Sequence, residues 1–284
     1  MRAILIALSS AILCLTHSAS AQSNDFTATQ EALLAEAQGA LDADPDDADA
    51  AVWVGRRLGY LGRYDDAVAV YRDGWRRHPD DARFPRHIGH RLISLRRFNE
   101  AAVVLQQAAD LMAARPNETE PDGLPNEAGV PTSTLKGNIY YHLALAHYLQ
   151  EDFARAATVW AQAAAVAANA DAASASRYWL YLSRARAGDM SGAESALDPV
   201  SGDWELLENH DYHELALCFK GAADCEVLAA RALSSEGVAA GTLLYGLGAN
   251  ALIDGDTQKA NEFFDAALAA GASASFGYIA AEAE

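Results

Sequence analysis

A 34-residue beat predicts that this chain is all-α, a right-handed superhelical solenoid of helix-turn-helix repeats. Three pairs of positions carry the beat: Gly55 and Gly89, Tyr64 and Phe98, and Ala67 and Ala101 are each 34 apart. Pro45 and Pro79 repeat the same interval. Small residues where helices cross, bulky ones between them and a proline after each pair describe a stack of helical hairpins, each burying its apolar face on its neighbours.

The elements follow in order. Arg2, an apolar run from Ala3 to Leu15 and the small-residue close Ala19-Ser20-Ala21 read as a signal peptide over 1–21, with cleavage after Ala21 and a mature chain beginning at Gln22. The run is shorter than the ~18 to 20 residues of a membrane span, so the expected destination is the periplasm or the exterior, with no integral membrane segment in the mature chain. A cap helix is expected over 27–41, ended by Asp44-Pro45. Repeat units follow near 48–81 and 82–115, with Gly62 and Arg96 at their internal turns. Phe153 and Ala156 lie 55 residues after Phe98 and Ala101, one period plus 21, so an insertion over 115–134 interrupts the array. It holds four prolines and no helical period, and it exceeds the ordinary helix-to-helix connection of about 2–8 residues. Further units are expected near 137–170, 174–200, 208–240 and 241–274, the one at 208–240 diverged, and a second cap helix at 275–283.

In stacked hairpins the first helix of each pair lines the concave side, and a stripe at i, i+4 and i+8 should face it. The stripe reads Val52, Arg56, Tyr60; Arg86, His90, Ser94; Tyr141, Leu145, Leu149; Tyr178, Leu182, Arg186; and Tyr245, Ala249, Ile253. The expected groove residues are therefore Arg56, Tyr60, Arg86, His90, Tyr141, Tyr178, Arg186 and Tyr245, cationic toward one end and aromatic toward the other. The formal charge of −18 is uneven: between Arg56 and Arg97, eleven arginines stand against five acids, a local balance of +6. Such a groove suits a protein or peptide carrying acidic or carboxylate groups, because arginine forks two hydrogen bonds to a carboxylate and tyrosine gives broad contact at low entropic cost.

Without the leader the cysteines reduce to Cys218 and Cys225, flanking Gly221, and they form either a bridge across that turn or two buried thiols. No metal and no cofactor is expected: His87 and His90, His142 and His147, and His210 and His213 have no recognised ligand spacing. There is no Gly-x-Ser-x-Gly and no phosphate-binding glycine loop, so no catalytic residue is named. A pI near 4.7 argues against nucleic acid as a partner.

Through these spacings the chain resembles the tetratricopeptide repeat superfamily across roughly residues 27–283. The stretch from Glu120 to Leu135, running into Asn138–Leu143, looks like a segment of bacterial members, and Leu243–Gly248 onward is similar to periplasmic repeat adaptors that scaffold cell-wall enzymes. The resemblance implies a non-enzymatic scaffold or adaptor of the bacterial cell envelope. Peptide-clamping members use Lys and Asn that are absent from the corresponding slots here. The competing expectation is an enzyme or metal-dependent domain whose pocket is formed by the 115–134 insertion and the His142 region.

Overall fold

A computed structural model describes residues 8–284, with side chains described from Asp25 onward. The expected leader falls on residues 1–7, which lie outside the described residues, and on a stretch known only by its backbone. The chain divides into two compact units, 1–79 and 80–284.

The first unit holds α1 (Leu8–Ala43), α2 (Ala48–Tyr60) and α3 (Tyr64–Arg77). Helix α1 begins well before the expected Thr27, since its 36 residues contain no proline and one glycine to interrupt the backbone ladder. It ends at Ala43, two residues before Pro45. Asp47 then starts α2 by accepting a hydrogen bond from Ala50 N at 3.0 Å. Gly55 is where α2 and α3 cross: a Cβ there would lie 2.3 Å from the Tyr71 ring.

The second unit repeats this hairpin. Its pairs are α4 (Arg83–Ser94) with α5 (Phe98–Met112), α6 (Leu135–Tyr148) with α7 (Phe153–Ala165), α8 (Ala170–Arg186) with α9 (Met190–Leu197), α10 (His210–Phe219) with α11 (Cys225–Ser234), and α12 (Gly237–Ile253) with α13 (Thr257–Ala269); α14 (Phe276–Ala283) closes it. A Cβ on Gly89 would meet Leu105, and one on Gly248 would meet Phe264, each partner again 16 residues on. Left-handed backbone recurs inside every pair of the chain, at Gly62, Arg96, Glu151, Gly188, Gly221 and Gly255. The diverged pair α10–α11 thus keeps the turn although it lost the small-residue pattern. Cys218 and Cys225 are bridged around that turn, with Cα atoms 5.2 Å apart.

Two connections break the rhythm. The insertion is an irregular strap whose ends pair in one antiparallel bridge, Thr119 with Thr134, supported by Glu120 N to Ser133 O at 3.0 Å and Leu135 N to Glu118 O at 2.8 Å. The second, between α9 and α10, is held by Asp171. Its Oδ1 accepts from Glu208 N and Asn209 N, each at 2.8 Å, and its Oδ2 accepts from Leu207 N at 3.1 Å. Asp171 lies in α8 because that helix starts at Ala170, four residues before the expected Ser174, capped by Asn169, whose Oδ1 accepts from Ala172 N at 2.9 Å. Among the described residues no helix is long and apolar enough to cross a membrane.

The inner helices of the second unit, α4, α6, α8, α10 and α12, surround an aromatic core. Trp179 stacks on Trp160 with ring centroids 5.9 Å apart and planes 6° apart, and it touches Tyr148, Tyr178 and Tyr245 at 5.0, 5.1 and 5.6 Å. None of these rings is more than 3% exposed.

Candidate functional site

The face expected to line a groove is, in the second unit, largely interior. Tyr178 and Tyr245 are fully buried, and Leu145, Leu182 and Ala249 of the same stripe have no exposed surface. The expectation of an open aromatic end is corrected accordingly: the inner helices approach closely enough for Tyr245 to hydrogen-bond across to Tyr148, OH to OH, at 2.7 Å. Burial pushes the Tyr148 phenol up to about 12, and those of Tyr141, Tyr178 and Tyr245 well above the usual tyrosine value.

The arginines of that face meet carboxylates of the chain itself. Arg86 is 6% exposed, and its Nη2 lies 3.2 Å from Oε2 of Glu120 in the strap. His87 Nε2 is 3.3 Å from the other carboxylate oxygen, and Asn138 Nδ2 donates to Oε2 at 2.7 Å. Arg186 pairs with Glu284, which also accepts from the Tyr245 hydroxyl at 3.1 Å. The Arg186 guanidinium lies 4.2 Å over the Phe153 ring. Arg96, at a turn, donates through Nε to Glu282 at 2.8 Å and through Nη2 to Ser273 O at 2.8 Å. The strap and α14 together occupy the face that the sequence assigned to a partner.

What remains is a cavity of about 380 Å³, walled by Arg86 and His90 of α4, Asp122, Thr132 and Thr134 of the strap, Asn138, Tyr141 and His142 of α6, Ser176 of α8, Glu208, Asn209 and Tyr212 at the start of α10, and Phe276 of α14. Tyr141 and Tyr212 share a hydroxyl contact of 3.0 Å on its wall. The His90 and His142 rings lie 4.3 Å apart, with Phe276 5.5 Å from each. His142 Nδ1 donates to Asn138 O at 2.6 Å, which puts the ring proton on Nδ1 and leaves Nε2 as an acceptor. Among the described residues no group of three or more His, Cys, Asp or Glu side chains is arranged to hold a metal ion.

Burial, and then the nearby Arg91 and Arg86 respectively, keeps His90 and His142 well below the ordinary histidine value. Both rings are neutral in the folded protein, whereas in the unfolded chain they take up protons as pH falls through about 6.5. The unfolded state then binds more protons, so stability is present above pH 6.5 and is lost below it, at up to about 1.4 kcal/mol per pH unit for each ring. Urea midpoints should fall between pH 7.5 and 5.5, and His142→Phe should flatten that slope.

The first unit keeps part of its expected groove face at its surface. Arg56 and Tyr60 are half-buried, while Val52 is buried. Trp53, absent from the i, i+4 stripe, is the centre of this face: the guanidinium groups of Arg56 and Arg57 lie 4.8 and 4.9 Å from its ring, and Arg57 lies 5.8 Å from Tyr60. The signal was a tryptophan three and four residues before two arginines, the spacing that brings helical side chains together. Arg57 also donates to Gln30 of α1 at 3.0 Å. Beside them runs a groove of about 370 Å³ lined by Leu33, Glu36, Ala37, Asp49, Trp53 and Arg57 among others.

Paired helices with small-residue crossings and a left-handed turn inside each pair give an all-α fold of tetratricopeptide-like helical hairpins. A solved tetratricopeptide repeat protein from Parabacteroides merdae has this fold, with a TM-score of 0.52 at 14% identity, over 88% of this chain and 91% of that one. Two other solved structures align less well: PilW, a type IV pilus biogenesis factor, at TM-score 0.49 and 15% identity over 93% of this chain and 94% of that one, and YrrB, a tetratricopeptide protein with an unusual peptide-binding site, at 0.47 and 14% over 82% and 91%. No protein-family model matches the sequence, and no curated protein does.

Proposed function

We propose that the protein is a non-enzymatic interaction scaffold of the bacterial cell envelope, exported by its leader to the periplasm or exterior, and that it docks a partner segment on α2. The observation that carries this reading is the pair of arginines over Trp53 beside the groove on the first unit. Asp47 and Asp49 line the groove at the start of α2 and Glu36 lines it from α1, while Arg57 lines it and Arg56 lies beside it over Trp53 near the end of α2. That polarity favours an extended segment laid with its acidic residues over the arginines. The carboxylates of Glu120, Glu282 and Glu284 on the arginines of the second unit are the same pairing made within one chain.

Fluorescence anisotropy with labelled acid-rich peptides tests the proposal. Trp53→Ala and Arg56→Glu should each weaken binding at least about tenfold, a loss of roughly 1.4 kcal/mol. Affinities unchanged by both substitutions would remove α2 as the docking face. The competing expectation, a pocket formed by the 115–134 insertion and the His142 region, has one observation in its favour, since those residues do line the cavity of about 380 Å³.

A further inference from the structure

The cavity in the second unit has the size of a small-molecule site, about 380 Å³ against the roughly 300–1,000 Å³ typical of such sites. Its wall is more apolar than polar, and the polar part is mostly uncharged. The ionised groups around it are engaged with protein partners: Arg86 with Glu120, and Glu208 through Oε1 with Asn126 and Oε2 with Thr132, each at 2.7 Å. Asp122 has interactions of its own. An anionic ligand would lose its hydration here without gaining a counter-ion, because Arg86 is already neutralised by Glu120, and a cationic one would have to compete with Asn126 and Thr132 for the Glu208 oxygens. An uncharged one meets no such penalty.

The second observation concerns hydrogen bonds. His142 is 4% exposed, its Nδ1 is spent on the backbone, and its Nε2 acceptor has no partner. Buried polar atoms without a partner are rare in folded proteins, so the Nε2 of His142, on a residue that lines the cavity, marks a place arranged for polar contact. The rings of Tyr141, His142 and Phe276 add flat apolar surface.

We infer that this cavity is a binding site for a compact, uncharged ligand that donates a hydrogen bond from a hydroxyl or an amide to His142 Nε2 and lays an apolar face on the ring of Phe276. The site is distinct from the α2 face, so either can fail without the other. It adds ligand binding to a scaffold, and the strap and α14, which both contribute to its wall, would be steadied by an occupant.

The test is titration of the full-length protein with methyl glucoside, which offers hydroxyls alone, with N-acetylalanine methylamide, which offers amides alone, and with lysine and glutamate as charged comparators. Binding is read by the ¹⁵N shift of His142 Nε2 and by the melting temperature. At least one uncharged probe should move the His142 signal and raise the melting temperature, with the charged compounds at least about tenfold weaker. Which uncharged probe binds identifies the donor. His142→Phe, which keeps a ring and removes the acceptor, should weaken that probe at least tenfold, and Ala172→Leu, which fills the cavity from α8 and leaves His142 in place, should abolish its binding. The inference is overturned if neither uncharged probe binds at 10 mM, if lysine or glutamate binds as well, or if a folded variant of either kind retains full affinity.

Discussion

Glu120→Ala is expected to cost about 3–5 kcal/mol of folding free energy, the range for removing one partner of a buried ion pair. The substitution takes from Arg86 and His87 the carboxylate they share, and from Asn138 its acceptor, all behind a strap whose own backbone pairing is a single bridge. Helices α4 and α6 have other packing, so the strap should loosen first. Glutamyl endopeptidase should cut after Glu118 or Glu127 in the strap faster in the variant while the urea transition moves to lower denaturant. Glu120→Gln keeps the shape and one acceptor and should fall between the two. A strap that stays resistant and a midpoint that does not move would mean that the pair contributes nothing to the closed form.

Trp179→Ala should be about as damaging, roughly 3–5 kcal/mol, because deleting a fully buried indole removes its transfer energy and leaves a cavity that the backbone cannot collapse. The ring has no exposed surface and lies against Trp160, Tyr148, Tyr178 and Tyr245, which come from four different helices. Its loss should therefore lower the stability of the whole second unit in one cooperative step. Urea unfolding followed by far-ultraviolet circular dichroism reports this, and an unchanged midpoint would place the tryptophan outside the core.

The periodic part of the fold was legible because each repeat states it locally. Gly55, Gly89 and Gly248 are small where a ring or a leucine 16 residues on must pass, and that constraint lies within one hairpin. Gly62 and Arg96 marked the turns for the same reason. What the sequence concealed is made by residues far apart in the chain. The carboxylate of Asp171 binds backbone groups 36 to 38 residues later, and that of Glu282 reaches an arginine 186 residues away, with no pattern linking the partners. The stripe rule found the inward-facing tyrosines but treated inward as open. Whether the inner helices of a solenoid leave room depends on the radius of its turn, and in the second unit buried aromatic side chains from α6, α8 and α12, with Glu284 after α14 on Arg186, filled it. Trp53 escaped notice because the rule follows a geometric row, whereas cation–π contact follows chemistry.

In the second unit, the face expected to take a partner is occupied by the chain's own strap, aromatic side chains and final helix. Nitration of tyrosines by tetranitromethane, mapped by mass spectrometry on the folded protein, tests it most directly. Tyr178 and Tyr245 should stay unmodified while half-buried Tyr60 reacts, and both should become reactive only after unfolding. Prompt nitration of Tyr178 and Tyr245 under native conditions would show an open groove instead of a filled one.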